Sequence, residues 1–156
     1  LATAQYNLGL MYFEGKASKQ NYEKAAEYFQ LAAAQGEAAA QANLGYLYDT
    51  GKGVRQDYIK ALEYYLLAAN QGNSSAQCNL GNMYENGHGV VQDYAKAVEY
   101  YQLAAKQEDA NAQFTLGLIY LNGTGVKPNK RMAMELLRKS CENGKQEACE
   151  IYGQLK

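Results

Sequence analysis

Tryptophan is absent from the 156-residue chain, proline and histidine occur once each, and cysteine and phenylalanine three times each. The lone histidine, His88, sits between two glycines in a turn, and the three cysteines are scattered, so no His or Cys spacing suits a metal site. The glycine pairs follow no strand and therefore make no phosphate-binding loop. Long apolar runs are also missing, because Gln, Asn and Glu interrupt the hydrophobic residues well short of the roughly 20 that cross a bilayer. Positive charge is not in excess either. Fifteen Lys and Arg against sixteen Asp and Glu leave a net charge of −1, which lacks the basic field that holds a phosphate backbone and excludes nucleic acid as the expected partner. No cofactor, metal or catalytic group is expected, and the chain reads as a non-enzyme. It opens at Leu1 without Met and without a basic region followed by an apolar run, so any targeting signal lies outside this segment.

What is present is apolar content of 47%, enough for a continuous core in one domain, and fifteen tyrosines alongside abundant alanine. Such a skew calls for a search for repeats. Gly9, Gly45, Gly81, Gly117 and Gly153 recur every 36 residues, inside AQYNLGLMY, AQANLGYLY, AQCNLGNMY and AQFTLGLIY for the first four. Ala, Gln, Leu, Gly and Tyr hold their places while the third and seventh positions vary. The repeats run over 4–39, 40–75, 76–111 and 112–147, with a capping helix over 148–156.

Each repeat divides at a glycine-rich turn (GKASKQ, GKGVRQ, GHGVVQ, GTGVKP) that ends a first helix. Asn21, Asp57, Asp93 and Asn129 follow at one offset and suit the N-cap of a second helix. That helix ends at Gly36, Gly72 and Gly144, which fit a left-handed C′ position, with Glu108 as the one exception. The fold class is all-α: an α-solenoid of four helix-turn-helix repeats and a C-terminal half-repeat helix.

On the first helix, Ala4, Leu8, Met11 and Tyr12 share a stripe that should face a core. The recurring Gly9 costs about 1 kcal/mol against Ala, so its return implies a close approach of two helix backbones. On the second helix, Tyr22, Ala25, Phe29, Ala32 and Ala33 form a wide buried face, and Tyr28 and Leu31 should meet a neighbouring repeat.

The string A-x-x-x-L-G-x-x-Y-x-x-G-x-G-V-x-x-D-Y-x-K-A-x-x-Y-Y-x-x-A-A-x-x-G, read almost unchanged at Ala40 to Gly72 and Ala76 to Ala105, resembles the Sel-1-like repeat. The resemblance covers essentially the whole chain. It implies a right-handed superhelix related to tetratricopeptide arrays, with first helices lining a concave surface, in adaptor and scaffold proteins.

The terminal KSCENGKQEACEIYGQLK is similar to the last repeat of the Helicobacter-type cysteine-rich proteins, and Cys141 and Cys149 carry that likeness. On the last turn of one helix and the first turn of the next, their Cβ atoms could meet within disulfide range, adding roughly 2–3 kcal/mol in the loop-entropy model. The alternative is that Cys141 replaces the core alanine of the other repeats as a small buried thiol. A bridge favours a secreted or periplasmic setting. Against that stand the missing cysteine pairs in the other repeats and the unpaired Cys78. The cysteine-rich branch has been linked to penicillin binding and β-lactamase activity, but this sequence has no S-x-x-K to supply a serine nucleophile.

If the first helices line a concave groove, the positions opposite their buried stripe are the third, seventh and tenth of each repeat. They read Tyr6, Leu10 and Phe13, then Ala42, Tyr46 and Asp49, then Cys78, Asn82 and Glu85, then Phe114, Leu118 and Leu121. Variable positions on a fixed framework, rich in exposed aromatics, are what a repeat binder uses to specify a protein or peptide partner. Alternatively, Tyr6, Leu10 and Phe13 pack on a preceding repeat or on another copy, giving a self-associating structural module. Residue 1 falls three positions before a repeat, as in a segment cut from a longer array, whereas Glu150, Gln154 and Lys156 replace apolar groups as a C-terminal cap would. Asn7, Asn43 and Asn79 flank the groove, where their amides hold either a peptide backbone or a cross-repeat hydrogen bond.

Overall fold

The computed structural model describes residues 1–16 and 18–156; Ala17 lies outside the described residues. Among these residues there are nine α-helices and no strand: α1 (Ala2–Glu14), α2 (Tyr22–Ala34), α3 (Ala38–Thr50), α4 (Tyr58–Asn70), α5 (Ser74–Asn86), α6 (Tyr94–Lys106), α7 (Ala110–Asn122), α8 (Lys130–Glu142) and α9 (Gln146–Leu155). They make an all-α solenoid-type repeat fold of four helix-turn-helix units and a last single helix. Two compact units divide the chain, Leu1–Ala76 and Gln77–Lys156.

The helix ends follow from residue chemistry. Asn21, Asp57, Asp93 and Asn129 are extended, and each side chain accepts from a free N–H in the first turn of its second helix. At the opposite end Gly36, Gly72 and Gly144 take positive φ at no steric cost, and Glu108 does so with φ 63°. A side chain in that region costs about 1–2 kcal/mol. The Glu108 carboxylate offsets part of it by accepting from Asn143 Nδ2 at 2.9 Å and Gln113 Nε2 at 3.1 Å.

In the first unit α1 packs on α2, α2 on α3, and α3 on α4. The aromatic at the centre of each second helix lies against the recurring glycine of its own first helix. A Cβ on Gly9 would stand 2.6 Å from the Phe29 ring, and one on Gly45 2.7 Å from Tyr65. The close approach is therefore of ring to backbone, not of backbone to backbone as the repeat alone suggested.

The expected core stripe is buried in one repeat and open in another. Ala40, Leu44 and Leu47 of α3 have no exposure, whereas Leu8 of α1 is 38% and Met11 41% exposed. The reason is that α2 covers this stripe on α3, and α1 has no helix on that side. The leucines of the stripe thus face the preceding repeat, while the glycine and the stripe's last residue, Tyr48, face the second helix of their own, Tyr48 stacking on Tyr64. Leu31, expected against a neighbour, instead stands about half exposed, as does Leu67 at the same repeat position, and Tyr28 stacks on Tyr12 of its own repeat.

In the second unit α6 packs on α7, α7 on α8, and α8 on α9. Its buried cluster joins Val98, Tyr101 and Ala104 of α6 to Leu116 and Ile119 of α7. Leu137 of α8 is fully buried, and a Cβ on Gly117 would lie 3.0 Å from it.

Candidate partner-binding surface

Most of the variable positions are half-buried rather than freely exposed, whereas Asn82 is exposed. In the first unit the Tyr6 ring lies 5.9 Å from Phe29. Phe13 meets Tyr22 edge-on at 5.5 Å and Tyr46 at 6.1 Å. Lys52, from the turn, sits over both Tyr22 (5.4 Å) and Tyr46 (5.1 Å), and its Nζ donates to Tyr46 Oη at 2.9 Å. That hydrogen bond holds the ammonium pKa above its ordinary value. Burial pushes the Tyr6 phenol up, and a hydrogen bond with Asn43 opposes it. Asn43 thus spends its amide on a cross-repeat contact. Asn7 is exposed, Leu10 half-buried, and Ala42 buried.

Further along, the tenth position changes character together with the second helix. Phe13 lies over Phe29 at 6.2 Å. Asp49 accepts from Tyr65 Oη at 3.2 Å, and Glu85 accepts from Tyr101 Oη at 2.7 Å. In the fourth repeat the same two places hold Leu121 and Leu137. A carboxylate stands there only where the second helix brings a phenol to hold it. Burial, then the bond to Glu85, raises the Tyr101 phenol well above its ordinary range, so the hydroxyl keeps its proton and donates it. Asn82 also reaches Tyr101, which brings two predicted site residues of the third repeat onto one phenol.

Cys78 packs against the buried cluster, and desolvation pushes its thiol up to about 12, which removes the thiolate that reactivity requires. Asn79 is half-buried, as are Leu118 and Leu121. Phe114 lies under Lys145 Nζ at 5.4 Å. Sequence reasoning missed the two lysines, which come from turns, and the Tyr65 and Tyr101 hydroxyls. The paired change at positions 13/29, 49/65, 85/101 and 121/137 was readable by aligning the repeats with one another.

The fixed glutamine has a structural task. Gln41 Nε2 donates to the Ala33 carbonyl of the preceding repeat at 3.3 Å, and its Oε1 accepts from Gln71 at 2.8 Å. Gln113 does the same with Ala105 and Asn143, at 3.3 and 2.9 Å. One repeat further on, Ala105 and Gln113 become Cys141 and Cys149, and the two sulfurs are bonded at 2.01 Å. The bridge occupies the register of the glutamine latch.

Four consecutive segments, 2–37, 38–73, 74–109 and 110–145, match the Sel1 repeat model. The chain belongs to the Sel1 repeat family. Over 99% of its length it is similar to c5321, a protective antigen of uropathogenic Escherichia coli with an SLR fold, at 35% identity and TM-score 0.89. A Sel1 repeat protein of Oxalobacter formigenes is 37% identical over 99% of the chain, with TM-score 0.91. The chain spans 33% of the first of these proteins and 63% of the second. Helicobacter pylori cysteine rich protein B is 29% identical over 82% of this chain and 92% of its own, at TM-score 0.66. Among curated proteins nothing matches this chain significantly. Sel1-repeat proteins are generally protein-interaction scaffolds, typically without catalysis. No described helix is long and apolar enough to cross a membrane, and no described group of His, Cys, Asp and Glu is placed to hold a metal ion.

Proposed function

We propose that this Sel1 repeat chain is an adaptor that binds a peptide or protein in a groove lined by its first helices. The observation that carries the reading is the paired change at the tenth position. On a framework of fixed Ala, Gln, Leu, Gly and Tyr positions, a surface carboxylate and the buried phenol supporting it change together, as at Asp49 with Tyr65 and Glu85 with Tyr101. Preorganised polar groups of this kind give selectivity for donors on a ligand. Phe114, Leu118 and Leu121 supply apolar anchors on the first helix of the fourth repeat.

The test is affinity capture from the native host with the wild-type chain, beside Glu85→Gln and the triple variant Phe114→Ala, Leu118→Ala, Leu121→Ala. A specific partner should be weakened by both, with thermal melts showing both variants folded. A partner that binds the folded triple variant at full strength would sink the groove.

Self-association is the second reading, favoured by Leu8 and Met11, which are exposed where their counterparts Leu44 and Leu47 are covered by a helix. Light scattering across a concentration series separates the two. A monomer throughout excludes self-association, and an oligomer dispersed by Leu8→Glu with Met11→Glu supports it.

A further inference from the structure

In the first three repeats a tyrosine of the second helix lies flat on the tyrosine that ends the first helix. The pairs are Tyr12 with Tyr28, Tyr48 with Tyr64, and Tyr84 with Tyr100, with centroids 5.7, 5.9 and 5.7 Å apart and planes within 11° of parallel. A lysine one turn earlier on the second helix covers the first-helix ring: Lys24, Lys60 and Lys96, at 5.1, 5.2 and 5.2 Å. The fourth repeat keeps the first tyrosine, Tyr120, and replaces both companions. Leu136 stands at the stacking position and Met132 at the lysine position.

The replacement opens a space. Leucine is shorter than tyrosine and has no flat face, and a cavity of about 530 Å³ lies here, lined by Tyr120, Met132, Leu136 and Leu116 among others. That volume is within the range of about 300–1,000 Å³ typical of small-ligand sites. Gln102 Nε2 donates to Tyr120 Oη at 3.2 Å and steadies the ring at the edge of the cavity. Glu108 also lines it, its carboxylate held by Asn143 and Gln113. None of the variable groove positions takes part in the lining.

We propose that this cavity binds the aromatic side chain of a tyrosine or phenylalanine presented by a partner peptide, at a site separate from the first-helix groove. The three intact stacks define the occupant: the same repeat geometry accepts a coplanar six-membered ring over this tyrosine three times, and in the fourth the ring is missing while its bed remains. Offset stacking gives an incoming ring more than its buried area alone. The partner supplies in trans what Tyr28, Tyr64 and Tyr100 supply in cis.

The probe is N-acetyl-L-tyrosinamide, with the leucinamide and lysinamide analogues beside it, titrated while the methyl signals of Met132 and Leu136 are followed by NMR. The tyrosine probe should shift both signals saturably and bind roughly 2- to 10-fold more tightly than the leucine analogue, the margin a ring stack provides. Leu136→Tyr, which restores the residue the other repeats carry, should weaken binding at least tenfold and leave the thermal melt unchanged or raised. Met132→Lys, which brings back the cation over Tyr120, should weaken it independently. No saturable shift in the wild type, equal binding of the leucine or lysine analogue, or full binding by folded Leu136→Tyr would each overturn the proposal.

Discussion

Helix α1 and helix α3 carry nearly the same sequence pattern and meet different fates. Leu44 and Leu47 are sealed, while Leu8 and Met11 are more than a third exposed. In the second unit α7 and α9 repeat the contrast: Leu116 is 2% exposed with α6 and α8 on either side, and α9 packs on α8. A repeat helix is stabilised by its neighbours, and its own residues only prepare the surface. In α9 a covalent bridge stands at the place where α3 and α7 use a glutamine.

The contrast would be broken most directly at its leucines. Leu44→Ala should cost about 2–5 kcal/mol by chemical denaturation, because it empties a sealed site. Leu8→Ala, at the same repeat position, should cost about 1 kcal/mol or less; equal losses would mean that α1 is covered in solution. Next comes the latch. Cys149→Ser should lower stability by roughly 2–3 kcal/mol in the loop-entropy model. Thiol counting sharpens this: the unfolded, non-reduced wild type should show one reactive thiol, Cys78, and three would remove the bridge.

The recurring glycine gives a smaller and two-signed effect. Gly45→Ala drives a methyl group into the buried Tyr65 ring and should cost about 1–3 kcal/mol. Gly153→Ala meets nothing within 4 Å and should stabilise α9 by up to about 1 kcal/mol, the ordinary helix preference for alanine. A loss in both melts would show that α9 has a partner across its glycine. The smallest effect is expected for Tyr101→Phe, which makes the third repeat resemble the first, where Phe29 stands at this place. Losing the hydroxyl to Glu85 should cost about 1 kcal/mol.

Much of the fold was legible because its signals are local. The N-caps Asn21, Asp57, Asp93 and Asn129 and the C-terminal glycines are read within one turn of the chain, and Glu108 could be singled out as the exception from its register alone. The site was legible only as a set of positions. That Asn43 would turn to Tyr6, or that Lys52 and Lys145 would come to lie over Tyr46 and Phe114, depends on residues from different helices and turns meeting in space. The helix that covers the core stripe was not legible for the same reason: helical periodicity shows that Leu8 and Leu44 share a face, and not what packs on it.

By itself, then, the sequence determined the period, the helix boundaries and the identity of the repeat family, because caps, turns and hydrophobic spacing act over a few residues. Tertiary structure alone decided which copies of a repeated residue are buried, which carboxylates are held by a phenol, and where the missing ring of Leu136 leaves room over Tyr120. Those outcomes depend on residues that meet from different helices, such as Asp49 and Tyr65 sixteen residues apart, in a chain whose local pattern is almost the same in every repeat.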